Sequence, residues 1–129
     1  MTSFDIFNPD PKYLGPGIWF TIHTLAKNAT TPTLKQTFKV FIYSLREEFP
    51  CNLCRSHIIE FLDRHPIDSF WNIKDTSGRD IGLFKYTWMF HNTVNKRLNK
   101  PQLSFESALE IYYGSTAPSL APCKIGCKK

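Results

Sequence analysis

The strongest constraint on this chain is an apolar repeat of three and four residues that recurs almost end to end, while strand-like alternation is nearly absent. In "LKQTFKVFIYSLREEF" (34–49) the repeat places Leu34, Phe38, Phe41, Ile42, Leu45 and Phe49 on one stripe, and Pro50 ends the helix. "GIWFTIHTLAKNA" (17–29) brings Trp19, Ile22, His23 and Ala26 to one face, and "ATTPT" breaks the pattern. A third helix is expected over 52–64, burying Ile58, Phe61 and Leu62, followed by "HPIDS" and a loop around "DTSGRD" (75–80). A long fourth helix then carries Ile81, Phe84, Trp88, His91, Asn95 and Leu98 along one line until Pro101. Ser104 caps a short fifth helix through Tyr113, with Gly114 at its end. The expected fold is therefore all-α: a four-helix bundle, a short fifth helix and a flexible C-terminal tail. The domain reading is an N-terminal extension at 1–13, the bundle at 14–114 and the tail at 115–129.

At 129 residues the chain can bury one core unaided. Eleven Phe and three Trp exceed what so small a core strictly needs, which fits either a phenylalanine-packed interior or a flat ring-shaped ligand. No apolar run has the length of a membrane span, and "MTSFDIFNPDPK" lacks the pattern of a signal or transit peptide, so no membrane association is expected. The net charge of +5 is scattered, with small clusters at Lys96, Arg97 and Lys100 and at Lys124, Lys128 and Lys129. Nucleic-acid binding, which normally shows a denser basic stripe, is not expected.

All four cysteines lie in two close pairs, Cys51/Cys54 in "PCNLC" and Cys123/Cys127 in "CKIGC". Two such pairs could hold zinc, staple the fold or relay electrons. The first has zinc-compatible spacing, with His57 or His65 as further ligands, but the second sits on a tail rich in helix breakers, a poor place for a structural ligand. A zinc-binding interaction module without redox activity is the alternative kept open. The relay reading has its own warrant. Cys51 and Cys54 fall at a helix start, where unpaired N–H groups and the helix dipole favour a thiolate. A second pair on a mobile arm could exchange with the first. Such a dithiol needs an electron acceptor nearby.

The fourth helix carries "HNTVNKRLNKP" (91–101), with His91 and Asn95 one turn apart, Asn92 and Val94 flanking them, and Arg97 and Lys100 following. A histidine on an apolar face is ordinarily a core residue, but two asparagines beside it are costly there unless paired. This segment resembles that of the Erv/ALR family of FAD-linked sulfhydryl oxidases. "LGPGIWFTIHTLA" (14–26) and "FIYSLREEFPCNLC" (41–54) are similar to two further motifs of that family, in the same order. The resemblance implies an FAD-dependent thiol oxidase that forms disulfides in proteins and reduces O₂ to H₂O₂. It implies that Cys54 sits against the flavin, that Cys51 exchanges with the incoming dithiol, and that Cys123/Cys127 form the shuttle pair. By the same resemblance Gly15, Gly17, Trp19, His23, His91, Asn92, Val94 and Asn95 would surround the FAD, Arg97 and Lys100 would neutralise its phosphates, and Tyr112 would pack near the adenine. Protein dithiols or a thioredoxin-like carrier would be the partners, in a homodimer. No metal is implied.

The chain departs from the family pattern at Pro16 and Phe49, where an Arg and a Tyr are usual. Trp88 and Phe105 stand where cellular members join two cysteines, so an aromatic contact is expected there. Such minimal members resemble those of large DNA viruses, which implies the host cytoplasm or virion; the mitochondrial intermembrane space is the alternative.

Overall fold

The computed structural model describes residues 11–114, with side chains from residue 15 onward. Within them are five α-helices: α1 Pro11–Asn28, α2 Pro32–Glu48, α3 Asn52–Arg64, α4 Gly82–Arg97 and α5 Phe105–Tyr113. A single 3₁₀ turn, Ile67–Phe70, occupies the "HPIDS" segment that periodicity left unassigned. Cys123, Cys127 and the expected tail lie outside the described residues. No helix among the described residues is long and apolar enough to cross a membrane.

The helix ends follow local chemistry. Thr31 caps α2, its hydroxyl accepting from the Leu34 N–H at 3.2 Å, with Pro32 at the first helical position, where a missing N–H costs nothing. Thr31→Ala is expected to cost about 1 kcal/mol, read as a lower urea midpoint at unchanged m-value. Ser104 caps α5 in the same way, accepting from Ser107 N–H at 3.1 Å. Gly114 does end α5, but with φ −75° rather than a left-handed value; a side chain there would run into Glu110, so the demand is for space. α1 begins at Pro11, earlier than the apolar repeat suggests, and continues through Pro16.

The core is aromatic and aliphatic: Ile22, Ala26, Phe38, Ile42, Ile58, Phe61, Leu62, Leu83, Phe84, Tyr86 and Phe90 are buried. Each large side chain removed from water contributes roughly 1.5–3 kcal/mol. Two expected stripe positions are corrected. Leu34 is 47% exposed and Leu98 55% exposed, whereas Lys35, next to Leu34, is buried. Lys35 tolerates this because its ammonium donates to the Trp71 carbonyl at 2.8 Å and to Asp80 at 3.1 Å. That pairing turns the N-terminal end of α2 so that Leu34 faces out. Leu98 follows the last helical residue of α4 as its C-cap and has left the inward face.

Helix α4 is the central element. Tyr86 donates to the His65 carbonyl, and Phe61 stacks on Phe90 with ring centres 4.5 Å apart, so α3 runs antiparallel to α4. His23 meets Thr87 and His91, and Trp19 meets His91, so α1 is antiparallel to α4 as well. Gly82 permits the close start of α4, since a side chain there would collide with the Phe70 carbonyl. Helix α5 closes the opposite flank through Tyr112 and Tyr113, which pack on Phe84 with ring centres 5.4 and 5.1 Å away. The expected aromatic contact is present: Trp88 and Phe105 lie 5.3 Å apart, and the Trp88 indole N–H donates to the Leu103 carbonyl at 2.6 Å.

Candidate functional site

Cys51 and Cys54 form a disulfide at the head of α3, with Cα atoms 5.1 Å apart. Both are half-buried, while Asn52 and Leu53 between them are exposed. Cys51 is the N-cap of α3, and its sulfur accepts the Cys54 N–H at 3.2 Å. An amide N–H and the helix dipole both act on that sulfur and stabilise a thiolate when the bond opens. Arg55 fastens this corner, its guanidinium donating to the Phe49 carbonyl and to the Asn52 side chain. The motif spacing alone gave no hint of Arg55. Both sulfurs are bonded to each other, and among the described residues no group of three or more His, Cys, Asp or Glu is placed to share a metal ion. His65 instead packs its ring 4.7 Å from that of Phe61.

Cys54, Ile58 and Phe61 succeed one another at four and three residues, so Cys54 shares the face of α3 that buries Ile58 and Phe61. Since Phe61 lies against Phe90 in an antiparallel pair, the start of α3 points the same way along the bundle as the C-terminal end of α4. From Phe90 the rings continue to Trp19, edge-on at 5.2 Å, and from Trp19 to His91, parallel at 4.0 Å.

Beyond that stack lies a cleft of about 190 Å³, lined by His23, Phe84, Trp88, His91, Asn92, Asn95 and Tyr112 among others. Five of the expected binding residues, His23, His91, Asn92, Asn95 and Tyr112, thus share one wall, drawn from α1, α4 and α5. The others lie around it. Trp19 backs the His91 ring, and Val94 packs on the core. Arg97 and Lys100 are exposed at the C-terminal end of α4, where with Lys96 they take part in no salt bridge among the described residues. Gly15 and Gly17 border open space on α1. A wider, shallower depression runs along Pro32, Thr33, Gln36, Thr37 and Val40 on α2, but it offers no aromatic or titratable group.

The cleft is electrostatically neutral. Burial, reinforced by His91, lowers the His23 pKa to about 3. Burial, with the Lys100 charge second, lowers that of His91 to about 4. Both imidazoles are therefore uncharged near neutrality. Burial also raises the Tyr112 pKa, keeping its hydroxyl protonated. Asn92 is engaged at both ends of its amide: it donates to the Leu103 carbonyl at 2.7 Å and accepts the Leu103 N–H at 3.0 Å. It fixes the segment that leads into α5. The Asn95 amide makes no side-chain hydrogen bond to the described residues and remains available to a ligand.

These residues fit an aromatic, polar ligand with a charged portion. The cleft lies below the roughly 300–1,000 Å³ of a typical small-molecule pocket, so it holds only part of a dinucleotide. The exposed cations at the end of α4 and the open flank at Gly15 and Gly17 leave room and charge for the rest. Phe84 also belongs to this wall, and the fully buried Thr87 bonds to its His23; neither was among the expected binding residues. A threonine one turn before His91 was the one available signal for Thr87, and its role depends on contacts across 64 residues of chain.

A sequence model of the Erv1/Alr family matches residues 16–113. The chain is 35% identical over 106 residues to a protein of Invertebrate iridescent virus 3 that carries the name FAD-linked sulfhydryl oxidase, covering 80% of this chain and 68% of that protein. It is also 35% identical over 102 residues to the FAD-linked sulfhydryl oxidase of African swine fever virus (isolate Tick/Malawi/Lil 20-1/1983), covering 76% and 78%. A similarly named protein of Frog virus 3 is 31% identical over 110 residues, covering 79% and 67%. The motifs around Trp19, Cys51 and His91 and the helical bundle that joins them agree with these matches: the chain belongs to the Erv1/Alr family.

Proposed function

We propose that this chain is an FAD-linked sulfhydryl oxidase that makes disulfides in protein substrates and delivers the electrons to O₂. The observation that carries this reading is the Cys51–Cys54 disulfide at the start of α3, in a bundle that also holds the cleft of His23, His91, Asn95 and Tyr112. His91, Asn95, Tyr112 and Trp19 would hold the ring systems of FAD, and Arg97 and Lys100 its phosphates. When bound, FAD supplies a two-electron acceptor for the reduced cysteine pair and an exit for those electrons to O₂ as H₂O₂.

The residues of the chain perform the exchange. A substrate thiolate attacks Cys51 Sγ, the Cys51–Cys54 bond breaks, and Cys54 leaves as a thiolate. A second substrate thiol then displaces Cys51, so the substrate departs as a disulfide and both cysteines are reduced. Capping of the Cys51 sulfur by the Cys54 N–H makes it a good leaving group in that second step. Cys123 and Cys127 serve as the shuttle between protein dithiols, or a thioredoxin-like carrier, and Cys51. A homodimer would allow the shuttle to work across subunits. The viral relatives support action in the cytoplasm of an infected host cell.

Purified full-length protein is expected to be yellow, with absorbance between about 350 and 500 nm, and to consume oxygen when given dithiothreitol. A colourless protein that takes up no oxygen after incubation with FAD overturns the proposal.

A further inference from the structure

Two side chains in the wall of the cleft, His23 and His91, and the buried Thr87 form a hydrogen-bond chain whose direction can be worked out atom by atom. The Thr87 hydroxyl, wholly buried, lies 2.7 Å from the Phe84 carbonyl oxygen and 2.9 Å from His23 Nδ1. A carbonyl only accepts, and a hydroxyl has one proton, so that proton goes to Phe84. Thr87 Oγ then has only lone pairs to offer His23, and His23 Nδ1 must carry the hydrogen. A neutral imidazole has a single N–H, so His23 Nε2 is an acceptor. It lies 2.8 Å from His91 Nδ1, which must therefore donate. The one N–H of His91 is then engaged, and its Nε2 is left with a bare lone pair.

We propose that Thr87 is a positioning residue that sets the tautomer of both histidines and so makes His91 Nε2 a hydrogen-bond acceptor for the ligand of the cleft. His91 Nε2 has no partner among the described residues, while the His91 ring is held flat against Trp19. The neutrality on which the chain depends has its cause in burial, which holds both imidazoles uncharged at pH 7. The chemical consequence is selective. A bare imidazole nitrogen binds an N–H or O–H donor and repels an anionic oxygen. The partner at this point is therefore a sugar or ribityl hydroxyl, an amide N–H or an amino group, and a phosphate is excluded. The identification of that donor as part of FAD rests on the proposed function; the tautomer assignment does not.

Histidine-labelled full-length protein, as purified at pH 7, is the sample for long-range ¹H–¹⁵N correlation spectra, which distinguish the two tautomers of each ring. Both His23 and His91 are expected in the Nδ1–H form. Thr87→Val keeps the shape but removes the acceptor, so both rings are expected to move toward the Nε2–H form, and Thr87→Ser to retain the native pattern. Retention of FAD, followed by the fluorescence of released flavin, is expected to weaken roughly ten- to hundredfold in the valine variant and to recover in the serine variant, because a donor then faces a donor. The proposal is overturned if either native ring is in the Nε2–H form, or if flavin is lost from Thr87→Val while both tautomers stay unchanged. If the protein binds no flavin but the tautomers invert as described, the chain of bonds stands and the flavin reading alone fails.

Discussion

Replacing Cys54 with alanine is expected to reduce oxygen uptake with a small dithiol by roughly a thousandfold or more, to the background of the buffer. Without Cys54 the chain holds a lone Cys51 thiol, which can be captured by a substrate but cannot reform the Cys51–Cys54 bond. Cys51 requires a subtler substitution, because its sulfur also caps α3 through the Cys54 N–H. Cys51→Ser preserves a capping acceptor while removing the redox chemistry, so comparison with Cys51→Ala separates the two roles. Both are expected to lack turnover, and the alanine variant alone is expected to lose thermal stability. Flavin absorbance should persist in all three, since the expected ring contacts other than Cys54 lie on α1, α4 and α5. Activity of Cys54→Ala near that of the native protein would remove the pair from the catalytic route. Loss of Cys123 and Cys127 tests a different step: small dithiols should still be oxidised, and protein substrates more slowly.

Helix positions were legible where one face had to be apolar. Ile58, Phe61 and Leu62 of α3 are buried as their spacing implies, and Ser104 caps α5. Legibility failed where a long polar side chain found a distant partner. Lys35 reads as a surface residue, yet it is inside because Asp80 and the Trp71 carbonyl, more than thirty residues away, complete its hydrogen bonds. Asn92 shows the same limit in the site. Asn92 lines the cleft beside His91, but nothing in its neighbourhood in sequence indicates that its amide is also engaged by the backbone of Leu103. The motifs could name His23 and His91, but not that they touch or that Thr87 decides which nitrogen carries each proton. Those facts belong to distances of 2.8 and 2.9 Å between helices remote in sequence.

The same pair of histidines is expected to make the protein labile to mild acid. The folded-state pKa of His23 is about 3 and that of His91 about 4, both below the ordinary value of 6.5. In that interval the unfolded chain binds protons that the folded chain refuses, so stability rises with pH across it. The contribution is fully present above pH 6.5 and is lost progressively as pH falls toward 4, reaching the order of a few kcal/mol. The two carboxylates with lowered pKa add to the loss mainly at the acid end of this window. Hydrogen bonds, chiefly from Ser77, hold Asp75 at about 2, and hydrogen bonds and charge, chiefly from Lys74, lower Asp80, so their contributions are present above about pH 5 and are lost chiefly below about pH 4. Urea midpoints measured at pH 7, 6, 5 and 4 should fall steadily, and the fall should be shallower in His23→Asn, which has no proton to gain. A midpoint independent of pH over this range would show that the two imidazoles take up protons as readily in the folded as in the unfolded chain. Protonation of His91 would also convert its Nε2 from acceptor to donor, so release of flavin from the folded protein is expected near pH 4, well below the pH at which stability begins to fall.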